Sequence, residues 1–202
     1  MTFYSFMLKR YQRGFIQAKC FLVFSGMFLG FFIVSELVRN WSDLGFYFIQ
    51  LIGGWITWTF AEYILHRFWM HDKSSDSSLA RTHHHHHTHP NEIAVNKWHR
   101  ILMFLLCTTV SLLACRLGGY LAFVDGICFG ALGYFLMHWL LHHRVSRHLF
   151  KKLLRYHIYH HCKYPNTCFG ISVTWWDDLF HTVPSKPVIT DRIVDFYFEG
   201  KH

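Results

Sequence analysis

Eighteen of the 202 residues are histidine, and ten of them fall into four spaced groups. His66 and His71 read HxxxxH, and His83, His86 and His87 read HxxHH with Pro90 following. His138 and His142 read HxxxH, and His157, His160 and His161 repeat HxxHH. Neutral imidazole binds iron, zinc, copper and nickel alike, so a set of this size points to metal without choosing it. Residues i, i+3 and i+4 share one face of a helix, so each HxxHH is expected to aim three rings at a common point and HxxxH two. An i, i+5 pair lies about 140° apart on a regular helix. His66 and His71 therefore converge only where the helix ends or distorts between them. Ten imidazoles are too many for one ion and suit two. A structural zinc site takes four ligands, normally including thiolates.

The run from His83 to His87 admits one HxxHH register, because Thr82, Thr88 and Pro90 block the others. Its internal position in register with Pro90 separates it from the purification tag it otherwise looks like. His84, His85, His89, His99, His143, His148, His181 and His202 remain, and are expected in solvent or in hydrogen bonds behind the ligands. Glu62 precedes His66 by four residues on the same helical face. Two roles are open to it: accepting a ligand's second N–H and so fixing the tautomer, or lying as a capping or interfacial carboxylate.

The composition says what carries these groups. With 52% hydrophobic, 19% aromatic and 16% charged residues, the chain is unlike an ordinary soluble domain, a collagen, a disordered polymer or a disulfide-rich module. A bilayer-spanning helix needs about 20 mainly apolar residues. Four segments approach this: Cys20 to Val38, Leu44 to Leu65, the short Ile101 to Cys115, and Tyr120 to Leu141, with Leu117, Gly118 and Gly119 turning the chain between the last two. The expected fold is therefore all-α: an integral membrane protein with four transmembrane helices and a histidine-rich helical cap. Of the 20 Lys and Arg residues, 18 lie in the N-terminal, central and C-terminal segments on one side, which places the cap and both termini in the cytosol. All four histidine groups fall on that same side. The net charge of +8 then suits an anionic leaflet and argues against a nucleic-acid partner. The first apolar run lacks a small-residue cleavage pattern and is expected to stay as a span. The six cysteines form no CxxC pair and read as reduced.

These residues resemble the membrane fatty acid hydroxylase superfamily, and within it the fatty acid 2-hydroxylases, or sphingolipid α-hydroxylases. Glu62 to Phe68 is similar to their EYxLHRF signature, and His83 to Pro90 to their HxxHHxxP. Tyr156-His157 with His160 and His161 looks like their YHxxHH. Phe169 to Ser172, Trp176-Asp177 and Phe180 to Thr182 resemble their FGISxxxWDxxFHT ending. The likeness runs from about residue 40 to 183. Two departures stand out. There is no HPGG haem motif of a fused cytochrome b5 domain, and Phe135 replaces an aspartate that follows the tyrosine before HxxxH. The HxxxH spacing of His138 and His142 differs from the HxxxxH of carotenoid hydroxylases and favours an acyl lipid.

The resemblance implies a single hydroxylase domain over residues 1–202, with two irons held by His66, His71, His83, His86, His87, His138, His142, His157, His160 and His161. It implies O2 as co-substrate and no catalytic side chain beyond the metal centre, with Glu62, His143 and Asp177 behind the ligands. Zinc is expected to capture such a site in purified protein. The implied activity is hydroxylation of a membrane lipid acyl chain at the 2-position. Electrons would come from a separate donor such as cytochrome b5 or ferredoxin, in the endoplasmic reticulum membrane of a eukaryote or the cytoplasmic membrane of a bacterium. Sterol or carotenoid hydroxylation or desaturation on the same metals is the alternative. A non-catalytic metal transporter would string its ligands along a path through the bilayer instead of at one face. Trp175 and Trp176 are expected as interfacial anchors. Leu149, Leu153, Leu154 and Ile158, beside Lys151, Lys152 and Arg155, suggest a helix lying in the interface where a lipid enters.

Overall fold

Two helices meet backbone to backbone at glycines. In the computed structural model, which describes residues 44–72, 77–90, 97–117, 121–185 and 188–199, α1 (Leu44–Ile64) packs along α4 (Ala122–Leu141). A Cβ on Gly54 would strike the Phe123 backbone, and one on Gly126 the Leu51 backbone. One turn on, Gly130 makes room for the Trp58 side chain. Small residues that let backbones approach are how helices associate where lipid offers no hydrophobic drive. The Gly126, Gly130 pair has GxxxG spacing, a signal the histidine-centred reading passes over.

α1, continued to Met70, and α4 are each long and apolar enough to cross a bilayer. The helix α3 (Lys97–Leu117) carries a shorter apolar stretch, Ile101–Ala114. The expected span from Cys20 to Val38 lies outside the described residues. The outer faces are apolar. Phe46, Ile49, Ile52 and Ile56 of α1 and Leu102, Leu105, Leu106 and Leu112 of α3 are exposed, as on a surface bathed in acyl chains. Inside, Asp125 of α4 is fully buried and accepts hydrogen bonds from Tyr47 Oη of α1 (3.1 Å) and Ser111 Oγ of α3 (2.6 Å). One carboxyl group thus ties three helices together, as an acid inside such a bundle must be paired.

The remaining elements form a cap beyond the C-terminal ends of α1 and α4. They are α2 (Ser78–Thr88), α5 (Ser146–Leu149), α6 (Lys151–Cys162), α7 (Trp175–Leu179) and α8 (Asp191–Glu199), and every regular element among the described residues is helical. Ser77 starts α2 by accepting the Ala80 N–H at its Oγ. The expectation of an interfacial α6 is corrected. Leu154 and Ile158 are buried with Leu141, Ile171, Tyr197 and Phe198 in one core, and Leu149 belongs to α5. Its apolar stripe faces protein, because α4 and α8 pack against it.

Candidate metal centre

At the end of α1 the helix changes its winding. Leu65–Met70 form a π-helical turn, in which the N–H bonds to the carbonyl five residues back. The wider turn brings the i, i+5 pair together, and the His66 and His71 rings lie 5.2 Å apart between centroids. This is the distortion that the HxxxxH spacing demands.

The ten histidines singled out in the sequence form two groups of five. His66, His71, His83, His87 and His160 make one, and His86, His138, His142, His157 and His161 the other, with the ligand atoms of each group within 4.8 Å of one another. The groups touch: the His87 and His161 rings stack at 4.4 Å. The expectation that each HxxHH serves one point is corrected. In α2 the i, i+4 pair His83 and His87 turns to the first group while His86 turns to the second. In α6 the pair His157 and His161 joins the second group while His160 joins the first. The i and i+4 positions are about 40° apart on a helix and i+3 lies on their other flank, so a helix placed over the seam feeds both sides.

The nitrogens face each other at short range. In the first group Nε2 to Nε2 distances are 3.1 Å for His66 and His83, 2.9 Å for His83 and His71, 3.0 Å for His71 and His160, and 2.9 Å for His83 and His87. In the second they are 3.0 Å from His86 to both His138 and His142, and 2.9 Å from His142 to His157. At a metal–nitrogen bond of about 2.1 Å, ligands at right angles sit about 3.0 Å apart and tetrahedral ones about 3.4 Å. The observed separations match right angles.

Hydrogen bonds at the far ring nitrogens fix which nitrogen faces inward. His66 Nδ1 donates to the Phe169 carbonyl (2.5 Å) and His160 Nδ1 to the Thr167 carbonyl (2.8 Å). A neutral imidazole has one N–H, so the Nε2 atoms of both rings carry bare lone pairs. His142 Nδ1 lies 2.8 Å from Tyr197 Oη, and both nitrogens of His161 are buried without a hydrogen-bond partner. Burial, and then repulsion from neighbouring imidazoles, holds His142, His157, His160 and His161 well below the ordinary histidine pKa. Buried lone pairs aimed at one another, on rings that stay neutral, are a costly arrangement that a cation relieves. The donor set therefore fits two metal ions.

Two buried carboxylates hold the scaffold behind the rings. The sequence leaves Glu62 either on a ligand's N–H or as a capping group. Its partners are instead the backbone N–H groups of Ile171 and Ser172, both at 2.8 Å, and the Ser172 hydroxyl. Asp177 accepts from the N–H groups of Phe169 and Gly170, both at 2.8 Å, and from Thr182 Oγ1 at 2.7 Å. Tyr63 reaches Thr182 in turn, at 3.1 Å. Gly170 has no room for a side chain, since a Cβ there would meet the Val173 carbonyl and Asp177 Oδ2. His143 joins neither group; its Nδ1 donates to the Trp139 carbonyl at 2.7 Å. His85, His89, His148 and His181 are exposed, His84 is half-buried beside His71, and the side chains of His99 and His202 lie outside the described residues. Trp176 donates to Thr59 Oγ1 at 3.1 Å, and Trp175 packs edge-on against Trp55, so both line α1. The residue the sequence misses is Tyr197, since a lone tyrosine far along the chain carries no spacing signal.

Comparison with known proteins agrees with this geometry. The chain is 35% identical over 141 residues to the dihydroceramide fatty acyl 2-hydroxylase FAH2 of Arabidopsis thaliana, covering 65% of this chain and 59% of that protein. It is 31% identical over 164 residues to the ceramide very long chain fatty acid hydroxylase SCS7 of Saccharomyces cerevisiae, covering 75% of this chain and 42% of that one. The chain thus spans about half the length of these relatives. A solved structure of full-length scs7p, with only its hydroxylase domain visible, superposes with a TM-score of 0.50 at 26% identity, covering 84% of this chain and 67% of that one. The family model for fatty acid hydroxylase matches residues 51–182, a stretch that holds all ten clustered histidines, Glu62 and Asp177 and stops short of Tyr197. With its histidine groups folded together inside that match, this membrane chain belongs to the fatty acid hydroxylase family.

Proposed function

We propose that the chain is a two-iron oxygenase that hydroxylates a membrane lipid acyl chain at the 2-position, on a fatty acid or the N-acyl group of a sphingolipid. The observation that carries this reading is the convergence of ten imidazoles on two adjacent points, five to each. The names of the relatives, fatty acyl 2-hydroxylases among them, support the substrate class. What iron supplies in such a site is activation of O2 for attack on an unactivated C–H bond, which side chains cannot achieve and redox-silent zinc cannot replace.

The chain's own share is placement. His66, His71, His83, His87 and His160 hold one ion, and His86, His138, His142, His157 and His161 the other. Phe169 and Thr167 present carbonyls that keep His66 and His160 in the metal-binding tautomer. Glu62 and Asp177 hold the segment that bears the Phe169 carbonyl, while His143 braces the end of α4 through Trp139. In this reading four spans, counting Cys20 to Val38 and α3, carry the centre at the cytosolic face with both termini on that side. The hydroxylase unit occupies residues 1–202. A separate donor of the cytochrome b5 or ferredoxin kind supplies electrons.

Lipid mass spectrometry of cells expressing the wild type or His160→Ala tests this. The wild type is expected to add a 2-hydroxy acyl fraction, one oxygen heavier, that the variant lacks. An unchanged fraction sinks the proposal; a product two hydrogens lighter, or an oxidised sterol or carotenoid, assigns the site to the alternative reaction.

A further inference from the structure

The two groups of five are held from behind by different means. In the first, backbone carbonyls of the continuous segment 167–169 receive the Nδ1 protons of His66 and His160, and Asp177 anchors that segment at Phe169. In the second, His142 is held by a side chain. Tyr197 of α8 is 2% exposed, stacks on the His142 ring with centroids 5.2 Å apart, and lies against the His157 and His161 rings at 6.1 and 5.8 Å. Its hydroxyl donates to the Leu141 carbonyl at 3.3 Å, one of the carbonyls a helix leaves unpaired at its C-terminus. With its own proton so placed, the oxygen accepts from His142 Nδ1 at 2.8 Å and leaves Nε2 bare. α8 itself packs on α6 and is tied to α5 by Arg147 and Asp195, 2.7 Å apart at the surface.

We propose that Tyr197 is the positioning residue of the second metal position, its hydroxyl holding the His142 ring with Nε2 turned to the metal. The inference rests on the two-metal reading above. A partner behind a ligand histidine is worth about 10–100-fold in metal affinity.

The test loads the full chain with ferrous iron in lipid nanodiscs under anaerobic conditions, then follows metal content during challenge with a ferrous chelator. Wild type is expected to hold two irons per chain. Tyr197→Phe, which keeps the ring and removes only the hydroxyl, should lose one of them ~10–100-fold faster. Anomalous scattering should place the retained ion among His66, His71, His83, His87 and His160. Asp195→Asn removes only the surface ion pair to Arg147 while keeping the hydroxyl, and should release iron as the wild type does. The inference is overturned if Tyr197→Phe releases both ions at wild-type rates, if its retained ion lies in the second group, or if Asp195→Asn reproduces its defect. A wild type that holds fewer than two metals overturns the two-metal reading itself, and this inference with it.

Discussion

Glu62 and Asp177 divide between them the backbone N–H groups of four consecutive residues: Asp177 takes Phe169 and Gly170, and Glu62 takes Ile171 and Ser172. These acids lie on α1 and α7, far apart in the chain, and the segment they share carries the carbonyl that orients His66. A carboxyl group that accepts from several backbone donors at once pins a loop at several points, and each such buried donor is costly to leave unmet.

Removing either carboxylate should therefore loosen the first metal position before the second. Glu62→Ala leaves buried donors unmet, at about 1–3 kcal/mol each. The expected result is a lower melting temperature together with faster metal loss; a variant as stable as wild type would show that the segment holds itself.

The π turn gives a sharper prediction. Inserting an alanine after Trp69, an exposed residue between His66 and His71, converts the i, i+5 pair to i, i+6 and places the two rings about 120° apart on a regular helix. His71 leaves the first group, and metal analysis should find about one ion less per chain. Trp69→Ala, which preserves the spacing, should keep both.

Glycine contacts between α1 and α4 admit a paired test. Gly126→Val drives a side chain into the Leu51 backbone and should destabilise by at least about 1–3 kcal/mol, read as reduced thermal stability in detergent. Gly133→Ala, on the same helix with nothing within 4 Å of its Cβ, should leave the melting temperature within a degree or two of wild type.

Acid should unfold the metal-free protein. His142, His157, His160 and His161 are held below their unfolded value of 6.5, so the unfolded chain binds more protons as pH falls through that value. Stability is full above pH 6.5 and declines below it, by up to about 1.4 kcal/mol per pH unit for each such histidine. Denaturant titrations of the apo form between pH 7.5 and 5 should show this slope, and His160→Gln should reduce it.

Much of this was legible in the letters. The four histidine groups stand out because metal binding needs side-chain types at helical spacings, and the HxxxxH anomaly already demanded a distortion at residues 65–70. The division of each HxxHH between two groups was hidden, since periodicity names the face of a helix but not the seam over which it lies. Glu62 was expected near a ligand or a helix end and instead holds Ile171 and Ser172, because a partner so distant in sequence leaves no mark on its spacing. The stripe on α6 read as lipid-facing for a similar reason: Leu154 and Ile158 look alike whether acyl chains or protein cover them. Tyr197 had no pattern at all.

The straddling of α2 and α6 limits how such a centre can work. Each helix lends rings to both positions, so with both ions bound neither can hinge away to admit a guest without stripping the pair. The cap is a riveted roof, not a door: whatever reaches the metals must come in without parting α2 from α6.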